Sequence, residues 1–351
     1  MSFQLTIEPL GRCIEVDEGQ TILDACLREG IWLPHACCHG LCATCKVQVT
    51  DGDVDHGEAS SFALMEFERE EGKTLACCAR LESDMVIEAD IDEDPDAQYI
   101  PLRNFSGVVT RIETLTPTIK GVFIRVDEPI RFQAGQYVTL GIGDLGISRA
   151  FSLASPPSSA EEIELNVRIV PGGQGTAWIH EKLSPGERVQ LIGPYGNFFV
   201  RQSAKLPLIF MAGGSGLSSP RSMILDFLEN GFDRPITLVY GQRTHSELYY
   251  HDEFVALAER YENFRYVPAL SHETADSDWS GYRGFVHEAA NHCFGGDFRG
   301  HQAYLCGPPL MIDSSITVLM QGRLFEKDIY FEKFISAADA QQVRSPLFRK
   351  L

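Results

Sequence analysis

The chain has no run of about 18 apolar residues, so nothing in it reads as a membrane-spanning helix. It has no basic excess. Thirty Lys and Arg face 49 Asp and Glu, and the net charge of −19 argues against a general nucleic-acid binder. The opening residues MSFQLTIEPLG show no basic stretch followed by an apolar core, so no secretory leader is expected and the cytoplasm is the expected compartment. There is no internal repeat and no low-complexity segment. Cysteine is nearly absent beyond residue 78, where only Cys293 and Cys306 occur. What remains is a folded chain of 351 residues with 44% hydrophobic and 23% charged residues. That length exceeds one ordinary core and predicts two or three domains.

Charge and cysteine are both unevenly placed. Residues 1–100 carry 22 Asp/Glu and 6 Lys/Arg, a local charge of −16, and the remainder carries 27 and 24, or −3. Eight of the ten cysteines lie within the first 78 residues. Without a leader a disulfide framework is not expected, because the cytosol keeps thiols reduced. Clustered cysteines there point to metal binding or redox work.

The pattern along the chain predicts three modules. Residues 3–16 read as two short strands around Leu10-Gly11, and Thr21 to Gly30 as a helix stopped by Gly30. A Cys- and Gly-containing loop follows at 33–45, then a strand at 46–49, a polar helix at 60–71 and a closing strand at 85–91. Residues 93–103 are acidic, hold Pro95 and Pro101, and read as a linker. From 104 to 203 short strands alternate with Gly/Pro turns, the spacing of a small antiparallel barrel, with one helix near 176–183. From 204 to 351 apolar strands alternate with helices, which predicts a parallel sheet covered on both faces.

The strongest motif is Cys37-x4-Cys42-x2-Cys45 with Cys77 downstream. That is the plant-type [2Fe–2S] spacing, in which four soft thiolates hold two irons. A zinc site would show paired C-x2-C units, and only one such pair is clean. Cys38 and Cys78 neighbour two of these positions. Spacing to Cys42 selects Cys37, and the segment Leu75-Ala-Cys77 resembles the ferredoxin pattern that selects Cys77. Cys13 and Cys26 read as buried packing residues, and His35 as a loop surface residue. Residues 1–92 thus resemble a plant-type ferredoxin domain, a β-grasp α+β fold.

Arg149-Ala-Phe151-Ser152-Leu-Ala-Ser155 resembles the flavin motif of the ferredoxin–NADP reductase superfamily. The resemblance implies that Arg149 pairs with the FAD diphosphate, Phe151 covers the ring in place of the usual Tyr, and Ser152 lies near the reactive nitrogen. Arg offers phosphate a charge-assisted fork. Gly173, Gly175 and Thr176 open the helix of the barrel, and a helix start presents free N–H groups and a positive dipole end to phosphate.

Gly213, Gly214 and Gly216 follow an apolar strand and open a helix, the context that makes a glycine-rich nucleotide motif credible. Gly241 ends the next strand, and Cys306-Gly307-Pro308 ends a later one. In the superfamily the Cys-Gly element lies by the nicotinamide and the hydride path, which implies that Cys306 acts with Ser152. Tyr330-Phe331-Glu332-Lys333-Phe334 resembles the terminal strand, whose aromatic shields the flavin. Phe334 is the candidate, with Phe331 open. No acidic residue follows strand 236–241. Arg243 stands there and could bind a 2′-phosphate, whereas the resemblance favours NADH.

The order ferredoxin, FAD barrel, NAD domain resembles the reductase components of soluble aromatic-ring oxygenases over essentially the whole chain. PHACCHGLCATCKVQV, GEASSFALMEFEREEGKTLACC and GGSGLSSPRSMI are most similar to the phenol hydroxylase type. This implies one FAD, one [2Fe–2S] cluster, NADH as donor and an oxygenase component as acceptor, docked through the acidic ferredoxin domain. The alternatives are a reductase for a toluene- or benzoate-type oxygenase, and a zinc or redox-sensing nucleotide binder.

Overall fold

The structure is a computed structural model that describes residues 2–35, 38, 40–91 and 94–334. Two compact units emerge. One runs to Arg103 and includes Pro194–Asn197. The other holds Asn104–Gly193 and the described residues from Phe198 on.

The first unit contains β1 (Ser2–Glu8), β2 (Arg12–Asp17), α1 (Ile22–Arg28), β3 (Lys46–Asp51), β4 (Val54–Asp55), α2 (Glu66–Glu70), β5 (Lys73–Leu75), β6 (Arg80–Leu81) and β7 (Met85–Glu88). The sheet order is β2-β1-β7-β3-β5, with β1 parallel to β7 and the other pairs antiparallel. Thr21 caps α1, accepting from Asp24 N–H, and Gly30 at φ +68° turns the chain out of it. Ile22, Leu23, Cys26 and Leu27 bury its inner face. The polar helix expected over 60–71 is confined to Glu66–Glu70, because turns occupy 61–64. The closing strand stops at Glu88. Cys26 is buried as expected, but Cys13 is exposed, on an edge strand where it points outward.

The second unit begins with a barrel: β8 (Arg103–Thr114), β9 (Ile119–Val126), β10 (Tyr137–Gly141), β11 (Ser148–Ser152), β12 (Glu162–Arg168), α3 (Gln174–Glu181) and β13 (Arg188–Tyr195). The order is β11-β10-β13-β8-β9-β12, and a Leu153–Leu165 bridge brings the two edge strands together. Alternation in β12 sends Ile163, Leu165 and Val167 into the barrel core and Glu164, Asn166 and Arg168 to the other face.

The chain continues through β14 (Leu208–Gly213), α4 (Ser218–Glu229), β15 (Ile236–Gln242), α5 (His251–Arg260), β16 (Phe264–Leu270), β17 (Tyr282–Arg283), α6 (Val286–Phe294), β18 (Gln302–Gly307), α7 (Pro309–Gln321) and β19 (Ile329–Lys333). These form a parallel sheet ordered β17-β16-β15-β14-β18-β19. Leu208, Phe210 and Ala212 face one core with Met223, Phe227 and Phe254 of α4 and α5. Ile209 and Met211 face the other, with Ala289, Ile312 and Ile316 of α6 and α7. Every residue of β14 is therefore apolar, as a strand covered on both faces requires. Truncating the fully buried Phe210 to Ala would cost about 3–5 kcal/mol. The next strand in sequence, β15, lies on one side of β14 and the later β18 on the other. That reversal opens a crevice at the carboxyl ends of the strands.

Candidate redox site

In the first unit the pairing Lys46↔Leu75 between β3 and β5 sets Cys45, just before β3, against Ala76 and Cys77, just after β5. Ala76 N–H donates to Cys45 O at 2.9 Å. The hydrogen bond with Cys77 holds the Cys45 thiol below its ordinary range and pushes that of Cys77 up. Cys77 and Cys78 sulfurs are 3.6 Å apart. Left-handed backbone at Cys38, Gly40 and Ala43 coils the loop. At Gly40 a Cβ would stand 2.7 Å from Cys78 Sγ and 3.2 Å from the Ala59 backbone, so only glycine fits. Thr44 Oγ1, between Cys42 and Cys45 in neighbouring positions, is buried without a partner. An orphaned hydroxyl beside soft thiols suits a sulfide-rich cluster. Cys37 lies outside the described residues. Among the described residues alone, no group of three or more His, Cys, Asp or Glu is gathered to hold a metal ion.

His35 is not a surface residue. It is 2% exposed, its Nδ1 is 2.8 Å from Leu33 O, and its Nε2 accepts from Gly196 N–H at 3.4 Å. Burial lowers its pKa, and this bonding pattern suits the neutral ring.

In the barrel, β11 carries the flavin motif, with Val138↔Phe151 and Tyr137↔Ser152 as neighbours on β10. Arg149 is exposed, Phe151 half-buried against the barrel core, and Ser152 buried. The Arg149 side chain lies over the start of α3. A Cβ on Gly175 would meet Arg149 Cγ at 3.0 Å. Gly173 is the N-cap, and Thr176 Oγ1 accepts from Val170 N–H at 3.0 Å, which fixes the turn before the helix. A helix start with a guanidinium above it fits a diphosphate.

The glycine turn after β14 meets the end of β18. A Cβ on Gly216 would come within 2.3 Å of Cys306 O, one on Gly213 within 2.4 Å of Met311 Sδ, and one on Gly307 within 2.9 Å of Gly213 O. Gly214 has φ +60°, and its Cβ position is 3.0 Å from Arg168 Nη1 of the barrel strand β12. Pro308 caps α7. Gly241 lies at the end of β15 and Arg243 just after it, Arg243 exposed, with His272 N–H donating to its carbonyl at 2.8 Å. This packed, side-chain-free turn leaves backbone open to a dinucleotide.

These pieces converge on Glu332, which the sequence reading passed over. Register sets it opposite Cys306. Its Oε2 accepts from Ser219 Oγ at 3.2 Å, from Ser152 Oγ at 3.4 Å and from Cys306 Sγ at 3.8 Å. The residue is half-buried, yet protein surrounds its carboxyl, and burial raises its pKa to about 7. Burial and Glu332 push the Cys306 thiol well up, so it stays protonated. The signal in the sequence was a lone acid flanked by aromatics in a terminal strand. Phe334 packs with the core that holds Cys306, and its N–H donates to Gly307 O at 2.9 Å, whereas Phe331 packs on the opposite core.

Comparison with known proteins agrees with this layout. The chain matches the 2Fe-2S iron-sulfur cluster binding domain over residues 5–82. It matches the oxidoreductase FAD-binding domain over 108–200 and the oxidoreductase NAD-binding domain over 210–316. It is 58% identical to the phenol 2-monooxygenase reductase component DmpP of Pseudomonas sp. strain CF600, over 353 residues and 100% of both chains. It is 55% identical to the phenol hydroxylase P5 protein of Acinetobacter pittii strain PHEA-2, again over the whole of both. The crystal structure of the Amycolatopsis cytochrome P450 reductase GcoB superposes with a TM-score of 0.86 at 34% identity, covering 95% of this chain and 98% of that one.

Fold and site together define an iron–sulfur flavoprotein reductase, an oxidoreductase that passes electrons from NADH through FAD and a [2Fe–2S] cluster. The chain belongs to the family of phenol hydroxylase reductase components.

Proposed function

We propose that this chain is the cytoplasmic NADH-oxidising component of a multicomponent phenol hydroxylase, handing electrons to its oxygenase component. The observation that carries the electron path is the meeting of Ser152, Ser219 and Cys306 on one Glu332 oxygen, where flavin strand and nucleotide turn come together. Identities of 58% and 55% to phenol-system reductases, against 33% to an aromatic O-demethylase reductase subunit, favour phenol over other oxygenases.

The residues divide the work. Cys37, Cys42, Cys45 and Cys77 hold the cluster in a ferredoxin domain of residues 1–92, followed by a linker over 93–103. In the barrel, 104–203, Arg149 and the helix start at Gly173, Gly175 and Thr176 bind the FAD diphosphate, and Phe151 packs on the ring. In the nucleotide domain, 204–351, Gly213, Gly214, Gly216 and Gly241 let the NADH backbone approach. Arg243 would hold the adenosine end, and Gly307 and Pro308 would shape the nicotinamide end. Phe334, held by its N–H on Gly307 O, would shield the flavin ring. Ser152 and Cys306 line the transfer path, with Glu332 orienting both. FAD and the cluster supply the conversion of a two-electron donor into single electrons. The acidic ferredoxin domain steers toward a basic patch on the oxygenase.

The test is an anaerobic titration. Flavin and cluster absorbance should bleach with NADH in stoichiometric amount, and the reduced protein should support phenol hydroxylation when mixed with a phenol oxygenase component. A colourless protein would end this reading. Equal turnover with toluene- or benzoate-type oxygenases would remove the assignment to phenol.

A further inference from the structure

Arg221 sits in the second turn of α4, directly after the glycine turn, and is 8% exposed. Its guanidinium makes four hydrogen bonds. Nε and Nη2 donate to the two oxygens of Glu253 on α5 at 2.7 and 2.9 Å. Nη1 donates to Ala154 O at 2.8 Å and to Glu164 Oε2 at 3.0 Å. Ala154 belongs to the flavin motif, two residues past Ser152, and Glu164 lies on β12. The guanidinium also stacks on Tyr250 at 4.1 Å, and the Tyr250 hydroxyl donates to Glu164.

Neighbouring contacts run between the same two segments. Ser222 Oγ donates to Ser155 O at 2.7 Å, and Ser218 Oγ donates to Asn166 Oδ1 at 3.3 Å. Asn166 Nδ2 in turn donates to Glu164 Oε1 at 2.6 Å, and Glu164 N–H donates to Ser155 Oγ at 3.2 Å. The buried polar residues of β12, Glu164 and Asn166, thus bond to α4 rather than to solvent.

A buried ion pair contributes little net stability compared with apolar packing of the same volume. What Arg221 supplies is direction: a planar fork with fixed acceptors on both sides. The redox site shares those two segments. Ser152 is two residues before Ala154, Ser219 two residues before Arg221, and both hydroxyls meet on Glu332. A shift of α4 against the end of β11 therefore becomes a shift of the nucleotide turn against the flavin strand.

We propose that Arg221, assisted by Ser222, is a positioning residue for electron transfer from NADH, locking the tail of the flavin motif to the helix that carries the nucleotide turn. The clamp sets alignment, and nucleotide affinity does not depend on it.

The test uses purified holoprotein carrying Arg221→Lys, Ser222→Ala, or Arg221→Met with Glu164→Gln. Flavin reduction at saturating NADH is followed by stopped flow, NAD⁺ affinity by titration, and backbone opening by hydrogen–deuterium exchange of peptides covering 153–156 and 218–222. The Arg221 variants should lose about 10- to 100-fold in the saturating rate, the range expected for misalignment near 1 Å. Ser222→Ala should lose on the order of fivefold, as for one neutral hydrogen bond. Exchange at 153–156 should quicken, while NAD⁺ affinity stays within about twofold and flavin content is unchanged. A wild-type saturating rate in any flavin-replete Arg221 variant would overturn the proposal. So would a rate loss matched by an equal loss of NAD⁺ affinity. Should the Arg221 variants lack flavin, Ser222→Ala decides alone, and an unchanged saturating rate there overturns the proposal.

Discussion

Cys306 Sγ lies 3.8 Å from Glu332 Oε2 on the adjacent parallel strand, and Ser152 reaches the same oxygen from the barrel at 3.4 Å. Burial lifts the Glu332 carboxyl to about 7. The folded protein therefore binds this proton more tightly than the unfolded chain. Its contribution to stability is complete below the ordinary carboxylate range and is lost as pH rises through 7. The full window corresponds to on the order of 3 kcal/mol. Glu332→Gln has no such titration. Its melting temperature should match wild type near pH 4.5 and exceed it by pH 8. Melting curves of the two proteins that stay parallel from pH 5 to 8 would show that Glu332 does not titrate in this range.

Gly216 is pressed against Cys306 O, a backbone atom that cannot swing aside. Gly216→Ala should lower stability by roughly 1–3 kcal/mol through overpacking. It should also weaken NAD⁺ binding while leaving FAD in place. Gly241→Ala meets the Val286 side chain at 3.0 Å and should be milder. Calorimetry and NAD⁺ titration on both variants check the ordering, and equal effects would refute it.

Adjacent Cys77 and Cys78 make opposite predictions. Cys77 sits in hydrogen-bond contact with Cys45 at the end of β5, whereas Cys78 faces Gly40 and is held at about 7 by its bond with Cys77. Cys77→Ser should abolish most of the cluster absorbance and iron content. Cys78→Ser should keep both. Iron analysis of the two purified variants decides, and the reverse pattern would reassign the ligand.

Much of this was legible beforehand because it rests on local chemistry. The thiol spacing, the glycines before a helix, and the apolar strand 208–213 each carry their meaning within a few residues. What stayed hidden depends on packing across the chain. Glu332 matters only because parallel register sets it opposite Cys306. The role of Arg221 depends on β12, which turns Glu164 toward it from another part of the chain. His35 reads as loop surface because nothing local reveals the Gly196 N–H that donates to its Nε2. The strand β11, Ser-Arg-Ala-Phe-Ser, has little apolar content of its own, and its pairing with β10 is what makes it a strand.

Arg149 stands over Gly175 at the start of α3, so its planar fork and the helix N–H groups address the same anion. Lys would keep the charge and lose the bidentate geometry. Arg149→Lys should raise the FAD dissociation constant about tenfold, the scale of one charge-assisted hydrogen bond. NAD⁺ affinity should hold. Flavin retained after gel filtration and FAD titration of the stripped protein measure this, and unchanged retention would place the diphosphate elsewhere.

The charge of residues 1–100, with 22 acids against 6 basic residues, acts at a distance that salt controls. The screening length falls from about 10 Å at 0.1 M to about 3 Å at 1 M. Transfer from reduced cluster to oxygenase should therefore slow by roughly tenfold or more between low and high salt, as steered encounters do. Reduction of the flavin at saturating NADH occurs within a formed complex and should change by less than about twofold over the same range. Stopped-flow traces at two wavelengths separate the steps. If both respond equally, the acidic face does not steer the partner, and contact must depend on apolar surface instead.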